Sequence, residues 1–154
     1  ISASAGKKAL RSQRIWGFTA NSIAGVYSAK RRDIWEKLMA EIKILTEKID
    51  KRELKRLVEQ CFKDMVKYIV DVRQRRIAIG GELHIDAEQL LLESGSEQKD
   101  IWGANYYPGK GESGCIEYTA LINIRPSSGN SSMEVIDNNL QEKIREITFE
   151  LTGC

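Results

Sequence analysis

The chain has three cysteines, Cys61, Cys115 and Cys154, and no two of them share a CxxC spacing. An odd, scattered set of thiols argues against a disulfide framework or a zinc ribbon and for a reducing compartment. No apolar run approaches the roughly 18 residues that a membrane-spanning helix requires, so the expectation is a soluble, cytoplasmic protein with no membrane partner. There is one histidine, His84. With a single imidazole and no GxSxG around any serine, nothing marks nucleophilic catalysis. The GxxxxGK[ST] loop that cradles phosphates is missing, as are internal repeats and the pattern of a doubly wound sheet.

What remains is an ordinary globular composition, 42% hydrophobic and 30% charged over 154 residues, which suits one domain. The net charge of +2 conceals an asymmetry. Residues 1–38 carry eight Lys or Arg against two acids, a net of +6, whereas the remaining 116 residues carry sixteen against twenty, a net of −4. An acidic body repels phosphate backbones, so nucleic acid could be approached only through the basic leader, where Trp16, Phe18 and Trp35 interleave with cations. The leader lacks a sustained apolar period and is expected to be a poorly ordered extension. Three readings of it stay open: a nucleic-acid arm, a transit-type peptide, or non-native sequence ahead of a start at Met39, the last being preferred.

From Met39 onward a single α+β domain, residues 39–154, is expected. Ile42, Ile44 and Ile49 suggest a short strand or an extended lead-in. Asp50 and Glu53 form a capping box, and Leu54, Leu57, Val58, Cys61, Phe62 and Met65 recur with the period of an amphipathic helix. Val66–Val72, the polar turn Arg73–Arg76, and Ile77 with Ile79 read as a β-hairpin. Asp86 and Gln89 repeat the capping box for a short helix, Ala87–Glu93, stopped by Gly95. Ile101–Tyr107 and Cys115–Arg125 read as a second hairpin across the turn PGKGESG, with Ile116, Tyr118, Ala120, Ile122 and Ile124 on one face. Asn138 and Gln141 cap a last helix carrying Leu140, Ile144, Ile147 and Leu151 on one stripe. The pattern predicts a mostly antiparallel sheet of two β-hairpins, with the two longer helices packed on one face and a short connecting helix.

The segments GGELHIDAE, LLLESGS, IWGANYYP and INIRP, the last with GN shortly after, resemble a prokaryotic family of uncharacterised proteins, the domain of unknown function five-six-seven-four. The likeness runs from about Met39 to Thr152. It implies domain boundaries and no activity.

Two constellations could carry chemistry. If the chain stays extended after Gly81, Glu82, His84 and Asp86 leave one face of a strand, and two carboxylates with an imidazole could ligate a divalent metal such as Mn, Zn or Fe for hydrolysis. The second is Arg125 at a strand end, with Asn123 beside it and Ser127, Asn130 and Ser132 in the loop that follows. A guanidinium fork, hydroxyls and amides can build a nest for a small anionic or phosphate-bearing ligand. The plainer reading makes this a surface loop with Arg125 paired to Glu117 or Glu82. The leading functional expectation is an anion-binding domain at Arg125; the alternatives are a metal-dependent hydrolase at Glu82, His84 and Asp86, and a protein-interaction domain with no small-molecule site.

Overall fold

The computed structural model describes residues 41–154, within one compact unit, Ala40–Cys154; the expectations for residues 1–38 lie outside the described residues. The elements are β1 (Ile42–Leu45), α1 (Lys51–Cys61), β2 (Val66–Asp71), β3 (Arg76–Gly80), α2 (His84–Glu93), β4 (Ile101–Tyr106), β5 (Ile116–Glu117) and α3 (Asn138–Thr152), with short 3₁₀ turns at Gln98–Asp100, Pro108–Lys110, Leu121–Asn123 and Pro126–Ser128. Among the described residues the fold is α+β: three helices and a five-stranded sheet in the order β1-β3-β2-β4-β5, antiparallel at every pair. Among the described residues no helix is long and apolar enough to cross a membrane.

Strand alternation divides the buried side chains between two faces. Val66, Tyr68 and Val70 of β2, Ile77 and Ile79 of β3, and Trp102, Ala104 and Tyr106 of β4 join Leu54, Leu57 and Val58 of α1 and Ile144, Ile147 and Leu151 of α3 in one core. Residues of the opposite parity, Ile69, Ala78 and Ile101, form a second core with Ala87 and Leu91 of α2. Helix α2 covers the centre of this second face. Every residue of β4 is therefore buried.

Helix α1 starts where its cap dictates, with Asp50 Oδ1 accepting the N–H groups of Arg52 at 2.8 Å and Glu53 at 3.3 Å. Glu53 does not reciprocate in a capping box. Its carboxylate is taken by Lys43 and Arg56, which hold it down at a pKa of about 2, the Arg56 hydrogen bond being the larger cause. The helix ends at Cys61 and Lys63 adopts φ 71°, so Phe62 does not continue the stripe and stays exposed. At α3 the cap is Asp137, one residue before the expected Asn138, and Gly153 closes the helix in the left-handed conformation.

Two expected elements are corrected. Helix α2 begins at His84 and not at Ala87, and its N-cap, Leu83, offers no side-chain bond. Asp86 lies inside the first turn and caps nothing. The expected strand Cys115–Arg125 is a strand only at Ile116–Glu117; residues 121–123 wind into a 3₁₀ turn, and isolated bridges join Thr119 to Glu134 and Arg125 to Asn130. Beyond β5, side chains replace the ladder.

Candidate functional site

Strand β4, next to the short edge strand β5, is where the sequence-derived site residues arrive, from the start of α2 and from the 118–136 loops. His84, as the first residue of α2, donates from Nε2 to the Ala104 carbonyl at 2.9 Å, which anchors the start of the helix on β4. Burial lowers its pKa, against the raising effect of that same hydrogen bond, which favours the neutral imidazole. Because residues 84–86 are helical, Glu82, His84 and Asp86 do not leave one face. Among the described residues no group of three or more His, Cys, Asp or Glu side chains is placed to hold a metal ion. The extended backbone on which that metal set depended is helical from His84 onward.

The residues expected to bind an anion are brought together, but mostly to satisfy the backbone. Asn123 is fully buried; its Oδ1 accepts the Gly103 N–H at 2.8 Å and its Nδ2 donates to the carbonyls of Gly103 at 2.9 Å and Met133 at 3.0 Å. Asn130, also buried, donates from Nδ2 to the carbonyls of Asn123, Ser132 and Glu134, while its Oδ1 accepts the Ile136 N–H at 2.8 Å. Neither carboxamide is free to meet a ligand. Ser132 accepts the Glu134 N–H at 3.1 Å, and Ser127 is exposed in the Pro126–Ser128 turn.

Arg125 is committed in the same way. Its Nε donates to the Ile122 carbonyl at 3.1 Å, one terminal nitrogen to Gln98 at 2.5 Å and the other to Ile101 at 2.8 Å. The guanidinium also lies over the Trp102 ring, 4.8 Å from its centroid, a cation–π arrangement. Burial lowers the Arg125 pKa, opposed by the nearby charge of Glu88. Neither Glu117 nor Glu82 is its partner. Glu117 instead accepts from Asn105 Nδ2 at 2.8 Å and the Tyr107 hydroxyl at 3.2 Å.

This framework holds apolar side chains in solvent. Leu121 is 71% exposed and Ile85 58%, and Leu83, Ile124, Met133 and Ile136 are exposed with them. They belong to one region by their backbone. The Ala120 N–H donates to Met133 at 3.1 Å and Asn130 Nδ2 to the Asn123 carbonyl at 2.9 Å, so 120–124 and 130–136 lie side by side. Ile122 packs on the core of Ala87 and Leu91, which sets that loop against α2. Ile85 lies one turn from Glu88, whose carboxylate accepts from Gln98 and faces Arg125, so Ile85 is on the helix face turned toward the loop. Glu82, Asp86, Glu134 and Asp137 border the region, and all four are exposed; none is in an ion pair among the described residues.

Sequence reasoning misses this surface. The available signal is Leu121, a large aliphatic residue in the polar alternation Glu117, Thr119, Asn123, Arg125. The family described as "Protein of unknown function (DUF5674)" matches residues 43–151 of the chain. No curated protein and no solved structure matches it.

Proposed function

The chain belongs to the family of proteins of unknown function DUF5674, and for it we propose a role in protein recognition: the domain receives a basic amphipathic segment of a partner on the surface between the start of α2 and the loop Leu121–Ile136. One observation carries this reading. Six large apolar side chains stay exposed, two at the start of α2 and four on a loop whose own backbone is fixed by buried carboxamides, and apolar patches with polar rims mark interaction sites. A fixed loop loses little freedom on binding, which favours affinity. The bordering carboxylates, lacking ion-pair partners, select a cationic partner and speed its encounter.

The reading is tested with labelled peptides of about 15 residues, long enough to form a helix on the surface. One is built of Leu and Lys in amphipathic order, a second of Leu and Glu, and a third of Ser and Lys. Fluorescence anisotropy should register binding of the first alone, weakening as salt rises from about 50 to about 500 mM. Equal binding of the Ser and Lys peptide would reduce the interaction to bulk charge and defeat the proposal.

A second reading keeps a small anion at the Arg125 loop. Three carbonyl bonds leave two of the five guanidinium N–H hydrogens, and Ser127, two residues on, is exposed. A rise in melting temperature with nucleotides or sugar phosphates that obeys mass action would favour it.

A further inference from the structure

Away from this surface, Cys115 and Cys154 are separated by 39 residues and their Sγ atoms lie 2.8 Å apart. Both are free thiols. Cys115 is fully buried in the larger core, and Cys154 packs against that core while remaining partly exposed. Each is held by its backbone. The Cys115 carbonyl accepts the Tyr107 N–H at 2.7 Å, which closes the 108–114 turn ahead of β5, and the Gly153 N–H bonds to Phe149 at 2.9 Å in the left-handed turn that delivers Cys154. A disulfide bond measures roughly 2.05 Å, so closure asks the sulfurs to approach by less than about 1 Å, a movement within reach of small side-chain rotations. Cys61, on α1, makes no thiol–thiol contact among the described residues.

We propose that Cys115 and Cys154 are a redox-active dithiol that closes to a disulfide by exchange with a low-molecular-weight disulfide, with Cys154 the thiol that reacts first with the reagent in solution. The Cys154 thiolate displaces one small thiolate from the reagent and forms a mixed disulfide. Cys115, having released its proton to solvent, then attacks the Cys154 sulfur, and the second small thiolate leaves. The protein loses two hydrogens and the small disulfide gains two. Exposure fixes the order, since Cys115 is shielded and burial, with Cys154 beside it, pushes its thiol up to about 12. The pair suits a reducing compartment, where disulfides are transient and redox-sensing. Closure ties the end of α3 to the turn before β5 and restricts the unfolded chain.

The full chain is reduced, incubated with glutathione disulfide, alkylated, and examined by intact mass and peptide mapping. The expected result is loss of two hydrogens, a peptide linking Cys115 to Cys154, an alkylated Cys61, and a melting temperature several degrees higher that reverts with dithiothreitol. Cys154→Ser, which leaves the buried Cys115 in place, should abolish both the link and the shift, whereas Cys61→Ser should keep both. A mixed disulfide that persists on Cys154, a link through Cys61, or three alkylated thiols would each overturn the proposal.

Discussion

The Asn123 carboxamide occupies the position on Gly103 that the peptide group of a neighbouring strand would take, accepting its N–H and donating to its carbonyl at 2.8 and 2.9 Å. β5 pairs only with Asn105 and Tyr106, so the side chain carries the ladder one step further. Gly103 also has to be glycine, since a Cβ there would come within 2.5 Å of the Ala120 Cβ.

Replacing Asn123 with Ala leaves the Gly103 and Met133 groups without partners in a buried place. Each such group costs about 1–3 kcal/mol, so Asn123→Ala should lose on the order of 3 kcal/mol in urea unfolding. Asn123→Asp retains the acceptor but not the donor and should fall between. A loss below about 0.5 kcal/mol, the usual range for exposed sites, would deny the clasp.

Arg125→Ala is expected to act on stability before it acts on any ligand. Three backbone carbonyls lose their donor, and a cost on the order of 2 kcal/mol follows. Arg125→Lys should recover little, because an ammonium cannot present a planar fork to groups on three sides. Thermal melts in buffer without added anions check this: an unchanged midpoint would show the guanidinium to be free for other use.

His84 gives a dependence on pH. Its folded pKa is lowered by burial from an ordinary value of 6.5, so on acidification the unfolded chain takes up the proton first and stability falls. The contribution is fully present above pH 6.5 and is lost as pH drops through the folded pKa. Melting temperatures between about pH 7.5 and 5 should decline more steeply for the native chain than for His84→Gln. Parallel curves would contradict the buried, neutral imidazole.

Much of this architecture is written in local patterns. Leu54, Leu57 and Val58 recur at helical spacing and Asp50 caps them, while Val66–Asp71 and Ile101–Tyr106 carry strand residues; these elements form where the periods place them. The region 115–125 does not, because its alternation of apolar residues is overridden by tertiary bonds. The carboxamides of Asn123 and Asn130 satisfy backbone groups several to twenty residues away, and such substitutions have no period to read. Arg125 illustrates the same point, since the fork that suits a phosphate also suits three carbonyls. The start of α2 hides for another reason: Leu83 provides no cap, while Asp86 resembles one.

Recognition through the exposed apolar surface is tested most directly by an anisotropy titration of the Leu and Lys peptide with the native chain and with the triple variant Ile85→Ser, Leu121→Ser, Ile124→Ser. These side chains are exposed, so the melting temperature should hold within the small range of surface substitutions, about 0.5 kcal/mol at each site. The predicted result is an affinity at least about tenfold lower, a loss of about 1.4 kcal/mol of binding. Undiminished binding by a stably folded variant would contradict it.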